Sequence, residues 1–582
     1  MAFDESAVGN VGSPSTTTKV TVDILEPASA SPLRGELVYL AHPLDDQCLI
    51  AIGTVTEILT MNRWHEDPNM RGVLKRYGSL PHLSAVGDVR TADVNVQAAY
   101  LAADPDPSKG DPPMESAGSL SMSPTTGATV SRVTDEFLTN LLRRHADQIT
   151  YLGQIYRTDV RMPVTVRHFG SVETGGSAEA YHTGIFGMTG SGKSVLAAYL
   201  MAAQLRHPEL AVFVIDPQGQ FTTEEGLPFS LQEWAEKQGR EVLTFSIARD
   251  LRLQQNAFLL GDLLGETRFF KDVLTIRGED PRESAVAEFT RILQGITHWD
   301  NRKSDDLLRD ALTALEGDAQ ALQRIYASQP PRTRLLGAIQ SILADATQFQ
   351  IALGEFAPLH SLFTAQGPGG GTRTSLQSIV DKALDPTQVR PLVIIDFSGA
   401  EVGSELLESA RVKAALLRIV CSVLNRRAEE HFKTGKRLNV LVVFDEAHRF
   451  ASESPEFDTQ RELAERLVDY VRTTRKYGLG WMFITQEISS LRRGIYTQLR
   501  VRCFGYGLTS GTELQRLRET IGDPASLDLY RTFVDPQAMK PAQYPFMLTG
   551  PISPLSFTGA PVFLSVFTSF EDFQSANSKS TS

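Results

Sequence analysis

The chain has 582 residues, more than one ordinary domain holds, so about two to four domains are expected. Hydrophobic residues make up 42% and charged residues 22%, which excludes a disordered, fibrous or collagen-like chain. The net charge of −12 excludes a wholly basic exterior, so any nucleic-acid surface must be local, for instance inside a channel.

Cys48, Cys421 and Cys503 are scattered without a C-x-x-C pair, which argues against a disulfide framework or zinc site and fits a reducing cytosol. The start, MAFDESAVGN, has no apolar signal core, and no run of about 18 apolar residues occurs. A cytoplasmic protein without a membrane span is expected. Residues 1–17 are Ser/Thr/Gly-rich and read as disordered. From Lys19 short alternating strands follow: KVTVDIL, Gly35–Ala41, Cys48–Leu59 and Ala92–Leu101, the pattern of a small β-barrel or sandwich. Residues 102–128 form a polar Pro/Ser/Gly stretch that reads as a disordered insertion. A helix over Asp135–Asp147 and a strand over Met162–Phe169 complete an N-terminal barrel module spanning 18–170.

Beyond Gly170 strands and helices alternate. YHTGIFGMTGSGKSVLAAYL reads as strand, glycine turn and helix, and Gly187, Gly192, Lys193 and Ser194 fit G-x-x-x-x-G-K-[ST]. Glycines at 187, 190 and 192 let backbone N–H groups wrap a phosphate where a Cβ would obstruct the turn. The cradle comprises Gly187, Met188, Thr189, Gly190, Ser191, Gly192, Lys193, Ser194 and Val195. Lys193 reaches the β- and γ-phosphates of ATP, Ser194 can ligate Mg²⁺, and the helix directs its positive dipole end at the anion. Strands follow at Ala211–Asp216, with the turn PQGQ, and at Glu241–Ile247. A helical subdomain occupies about 251–390, including the flexible run Gly367–Gly371; then come a strand at Pro391–Phe397 and a helix over Glu401–His431. The fold class is α/β: a RecA-like phosphate-loop ATPase core over 171–569, with that helical subdomain, the N-terminal barrel and a flexible tail at 570–582.

NVLVVFDEAHRF is the second anchor. Its apolar run Leu441–Phe444 reads as a strand buried on both faces, ending in Asp445 and Glu446. Carboxylates there suit Mg²⁺ held through water (Asp445) and polarisation of an attacking water (Glu446). Gln486 ends the strand Gly480–Glu487, where it either senses a γ-phosphate or caps a turn. Arg472, Arg475 and Lys476 end the preceding helix, as dipole complements or as a source of an arginine finger for a neighbouring subunit. His448 suits a structural or coupling hydrogen bond better than catalysis.

In order, GMTGSGKS, IDPQGQF, VVFDEAHRF and RKYGLGWMFITQ resemble the HerA family of hexameric ATPases in the HerA/FtsK group. The resemblance spans about Thr18–Ser569 and implies a homo-hexameric ring that translocates double-stranded DNA through its channel. It gives Lys193, Asp445, Glu446, Gln486 and Arg475 the phosphate, metal, base, sensor and trans-arginine roles. It also implies an effector partner, a nuclease or sirtuin-like NADase, and an anti-phage defence setting. Gln218 and Gln220 depart from the His and acid common in relatives, which bears on the usual DNA-end-resection role. A DNA-end-processing helicase working with a nuclease in repair, or an ATP-regulated scaffold, are the alternatives. A superfamily-2 helicase lacks its Q-x-x-G-R-x-G-R run here, and a secretion or conjugation ATPase would ordinarily bring a membrane segment.

Overall fold

The computed structural model describes every residue except 1–5, 45, 81, 117–119, 167–168, 170–178, 255, 367–370, 386, 399–408 and 579–582. The chain divides into two compact units: Met1–Arg206, Leu227–Phe229 and Met482–Ser582 form the first, His207–Gly226 and Ser230–Trp481 the second.

The first unit begins with a closed barrel. Its strands are β1 (Ala7–Val11), β2 (Lys19–Ile24), β3 (Leu37–Leu44), β4 (Gln47–Asn62), β5 (Asp88–Ala102), β6 (Met114–Glu115) and β7 (Thr129–Arg132). They run in the order β2-β1-β7-β3-β4-β5, and β5 pairs back onto β2, so six strands close and β6 adds to β5. Period-two alternation puts Val20, Val22, Val38, Leu40, Val94 and Val130 inside. Bulges at Gln97 on β5 and Thr56 on β4 bend the two strands around the closure.

Five expectations change here. Residues 6–17 are not a disordered start, because Val8 and Val11 enter the core and β1 joins β2 to β7. Residues 1–5 of that segment lie outside the described ones. The 102–128 stretch is likewise structured over its described residues: β6 pairs with β5, and Leu120 is buried in the barrel core. The barrel's last strand is β7. Ile149–Ile155 and Arg161–Thr165 pair with each other, and the former with Val562–Val566, so this hairpin belongs to a second sheet. The helix expected over Asp135–Asp147 stops at Leu141 and gives way to a 3₁₀ turn, Arg143–His145. Finally, the tail is helical over Phe570–Asn577: Phe573 is fully buried beside Tyr199, and Asn577 exchanges hydrogen bonds with both main-chain groups of Tyr151. Residues 579–582 are outside the described set.

The second sheet of this unit continues antiparallel from Val562–Val566 to Tyr544–Thr549 and Val501–Phe504. Thr183–Phe186 then pairs in parallel with Val501–Phe504 and with Met482–Thr485.

The second unit carries four parallel strands in the order Val242–Ser246, Leu392–Asp396, Ala211–Asp216, Val440–Phe444. The last three are buried at every position, as parallel strands covered on both faces require. Past Val242–Ser246 the unit carries helices from Ala257–Gly265 to Ala346–Ser361. Phe269, Phe270, Phe289 and Phe356 meet at its centre in edge-to-face and tilted pairs. Each such buried ring contributes roughly 1.5–3 kcal/mol. The described helix before the DEAH strand runs Ala410–Lys433; the expected start at Glu401 and most of the 367–371 glycine run lie outside the described residues.

Candidate functional site: a phosphate cradle and the acidic strand ends

In the first unit, the buried strand Thr183–Phe186 ends in Gly187, and the helix Lys193–Gln204 starts six residues later. Gly190 and Gly192 sit at φ +81° and +87°, the left-handed region that side chains rarely adopt. A Cβ on Gly190 would lie 2.5 Å from Nε2 of Gln537, and one on Gly192 would lie 2.5 Å from the Tyr544 ring. Position 192 therefore needs glycine for both backbone angle and space, and position 190 for its backbone angle, since the Gln537 amide can move aside. Met188 braces the loop. Its N–H donates to the Tyr506 carbonyl (3.0 Å), and its own carbonyl accepts from Ser191 N–H and from Lys193 Nζ (both 3.1 Å). Lys193 is buried, so its ammonium is held at the loop rather than waving in solvent. Ser194 and Val195 begin the helix behind it. Gln486, just past the strand Leu479–Thr485, accepts a hydrogen bond from Thr189 Oγ1 (3.3 Å). The predicted cradle residues and Gln486 are thus brought together. Gln537 and Tyr544 are additions that sequence reasoning missed, since nothing local marks a residue some 350 positions away as a loop neighbour.

The second unit gathers acids at the C-terminal ends of its parallel strands, where ligands collect in open α/β sheets. Asp216 and Asp396 are register partners. Asp216 is fully buried and accepts from the backbone N–H groups of Gly219, Gln220, Phe221 and Thr222 at 2.8–3.0 Å, and from the Thr222 hydroxyl at 2.9 Å. Burial pushes its carboxyl above the ordinary range; the bonds from Thr222 and Gly219 pull the other way without cancelling that. Asp396 accepts from Ser398 N–H (2.7 Å). Asp216 was legible as part of IDPQGQF, but its role as organiser of that turn was not.

Asp445 follows the strand Val440–Phe444 and is buried, its N–H donating to the Ile215 carbonyl (3.3 Å). Glu446 adopts φ +46°, a left-handed conformation for a residue with a Cβ, and His448 Nδ1 lies 3.2 Å from its Oε2. His448 thus stands at ion-pair distance from Glu446. Arg475 sits half-buried in the 3₁₀ turn Thr474–Tyr477, which Trp481 anchors through Nε1 to Thr474 Oγ1 (2.9 Å). Lys476 lies over the rings of Phe432 and Tyr477, while Arg472 is exposed.

Among the described residues, no group of three or more His, Cys, Asp or Glu side chains could hold a metal. The Ser194 hydroxyl and the Asp445 carboxylate are each hard oxygen donors of the kind magnesium takes. No helix among the described residues is long and apolar enough to cross a membrane.

Residues 179–428 match the family model described as "Helicase HerA, central domain". No curated protein matches in sequence. Among solved structures, the chain is similar to the bacterial conjugative coupling protein TrwBdeltaN70, with 15% identity, 75% of this chain and 92% of that one covered, and a TM-score of 0.38. It is similar to VirB4 of Thermoanaerobacter pseudethanolicus, with 13% identity, 72% and 96% covered, and a TM-score of 0.40. It is also similar to the genome packaging NTPase B204 of Sulfolobus turreted icosahedral virus 2, with 9% identity, 67% and 98% covered, and a TM-score of 0.27.

Proposed function

We propose that the chain, whose residues 179–428 match the HerA helicase central-domain model, is a ring-forming ATPase that uses ATP hydrolysis to translocate or unwind double-stranded DNA. The observation that carries the ATPase reading is the cradle itself: glycines in left-handed backbone, a buried lysine at a helix start and Gln486 bonded to the loop. In this reading Lys193 neutralises the β- and γ-phosphates, and the backbone N–H groups of 187–195 hold the anion. Glu446 takes the proton of the attacking water as the new P–O bond forms and the bond from the γ-phosphorus to the bridging oxygen breaks, leaving ADP and phosphate. Gln486 couples the state of the γ-phosphate to the strand behind it. Arg475 of a neighbouring copy stabilises charge building on the γ-phosphate. Bound Mg²⁺, held by Ser194 and Asp445, would supply further neutralisation of that charge.

Six copies form the ring, DNA passes through its channel, and the ring assembles with an effector, a nuclease or sirtuin-like NADase, in cytoplasmic anti-phage defence. These finer points rest on the family alone. An ATPase rate measured with and without double-stranded DNA separates a motor, which DNA stimulates, from an effector scaffold, which responds to its protein partner instead. The primary test is Lys193→Ala. Hydrolysis should fall below detection while far-ultraviolet circular dichroism stays at parent values, since the lost charge is worth several kcal/mol at the transition state. Hydrolysis near the parent rate would remove the phosphate-cradle reading.

A further inference from the structure

β4 and β5 are longer than the barrel needs. β3 leaves β4 at Thr54, and β2 leaves β5 at Thr91. The last pairs, Thr60↔Arg90, Met61↔Val89 and Asn62↔Asp88, therefore have no third strand among those described. Two-stranded ribbons are marginal in water without a covered face. This one is nonetheless firmly built at its tip, by the helices α1 (Arg63–Glu66) and α2 (Pro68–Tyr77). Asn62 caps α1 by accepting from Trp64 and His65 N–H, and donates to Asp88 and the Leu83 carbonyl. Asp67 caps α2, which starts on Pro68.

An ordered tip that buries nothing is unusual. Neither helix contains a buried residue, although Met70, Val73, Leu74 and Tyr77 share one face at i, i+3, i+4, i+7 spacing. Tyr77 is 74% and Val86 80% exposed, and Leu59, Met61 and Val89 present a further exposed apolar face on the ribbon. Such a patch marks a docking surface. The tip is also basic on an acidic chain: residues 59–90 hold Arg63, Arg71, Lys75, Arg76 and Arg90 against Glu66, Asp67 and Asp88.

At the other end of β5 the sign reverses. Residues 103–115 hold Asp104, Asp106, Asp111 and Glu115 against Lys109, with exposed Met114 and Met122 alongside. Arg143 and Arg144 approach this loop, but through carbonyls, Arg143 Nη2 to Pro107 (2.9 Å) and Arg144 Nε to Pro112 (3.0 Å), so they fix its shape. Asp106 and Asp111 remain exposed; Lys109 Nζ lies 3.5 Å from Asp106 and 3.9 Å from Asp104 in exposed pairs, and Glu115 pairs with His145. One strand thus joins a basic apolar head to an acidic, Met-bearing tail, roughly 50 Å apart at about 3.3 Å per residue.

We propose that the α1–α2 tip of each copy docks on the 103–115 loop of the next copy, a head-to-tail contact made by the barrels. A heterologous contact of this kind closes into a ring when its rotation divides the circle. The inference rests on the ring reading above, and supplies it with an assembly contact outside the ATPase core.

The test is a charge exchange on the full chain. One variant carries Arg71→Glu, Lys75→Glu and Arg76→Glu, and a second carries Asp104→Lys, Asp106→Lys and Asp111→Lys. Mass is read by light scattering at low salt and again at about 0.5 M, where exposed charge pairs are screened. Nucleotide affinity at the parent value certifies folding. Each variant should assemble at least about tenfold more weakly than the parent, through like-charge juxtaposition. An equimolar mixture should recover the parent mass, because each head again meets an opposite tail. Parent mass in both variants, or loss without recovery on mixing, overturns the proposal. So does unchanged mass with lost flotation on phosphatidylserine vesicles or lost retardation of a DNA duplex, which would assign the tip to lipid or nucleic acid. A parent that is monomeric at every concentration, with nucleotide present, instead overturns the ring reading on which the proposal stands.

Discussion

Asp216 and Glu446 lie at the ends of neighbouring parallel strands and carry the same chemical group, yet the chain surrounds them in opposite ways. Asp216 is sealed from solvent and spends both oxygens on the N–H groups of its own turn. Glu446 stands on strained backbone at φ +46°, keeps part of its side chain in solvent and faces a titratable imidazole. Holding a non-glycine residue in that conformation costs on the order of 1–3 kcal/mol. A saturated carboxylate organises backbone and has no lone pair to offer a reaction. A strained, accessible one is a poor structural element and a usable base. The contrast predicts that substituting the two separates rate from stability.

The largest effect belongs to Glu446→Gln. Hydrolysis should fall by about 10²–10⁴, the usual worth of a general base, while nucleotide binding and the denaturation midpoint stay near parent values. Quench-flow turnover alongside equilibrium nucleotide titration reads both. Loss of binding would make Glu446 a ligand-holding residue and dissolve the contrast. The same variant tests Arg475. Mixed with Arg475→Ala subunits, it should regain hydrolysis at interfaces that combine an intact Glu446 with an intact Arg475. Subunit exchange is verified by mass of differently tagged copies. Complete exchange with no regained activity excludes independent sites with Arg475 acting in trans, and parent-rate hydrolysis by Arg475→Ala leaves it a helix-end cation.

Asp216→Asn should do the reverse. Asparagine keeps one acceptor oxygen and presents an NH₂ where two N–H groups point, so the turn at 219–222 loses bonds inside a buried site. A destabilisation of about 2–4 kcal/mol is expected from unsatisfied buried donors, read from urea midpoints. Its pH dependence has a definite sign. Burial raises the folded carboxyl above its unfolded value, so the folded state binds more protons in the window between the two. The contribution of Asp216 is then fully present below about pH 4 and is lost as pH rises through the raised folded value. The gap between parent and Asp216→Asn should narrow over that rise. A gap that widens with pH would mean that the five bonds outweigh burial.

How much of this was legible depends on where the information lies along the chain. The cradle was readable because its logic is local: glycine spacing, lysine and strand-turn-helix all fall within twenty residues. The parallel strands announced themselves as apolar runs ending in acids. The barrel strands from Lys19 to Leu101 were visible through alternation, but β1 was hidden by Ser/Thr/Gly composition even though Val8 and Val11 supply core side chains. Leu120 was hidden the same way inside a Pro/Ser loop. The short strands Val501–Phe504, Tyr544–Thr549 and Val562–Val566 were missed because four to six apolar residues look alike in a strand or a buried helix. Gln537 and Tyr544 reach the cradle through tertiary contact, which no window of sequence contains. The α1–α2 tip escaped for another reason: its helices bury nothing, so their pattern marks no core of this chain.

The smallest effect concerns His448, and it sharpens what holds Glu446 in place. Its Nδ1 lies 3.2 Å from the Glu446 carboxylate, an ion-pair distance, so the ring can bias the orientation of a base that stands on strained backbone. A group acting this way changes how often the carboxylate points correctly, not whether it accepts a proton. His448→Ala should therefore lower kcat by roughly tenfold, short of the hundredfold that an ångström of misplacement can cost, and leave KM unchanged. His448→Asn, which retains a side-chain N–H donor, should recover part of that loss. In the Glu446→Gln background, His448→Ala should have almost no further effect, because the carboxylate it orients is gone. A merely structural histidine would lower the denaturation midpoint and reduce activity equally in both backgrounds. A histidine that itself moved the proton would cost as much as Glu446 does, and Asn would rescue nothing.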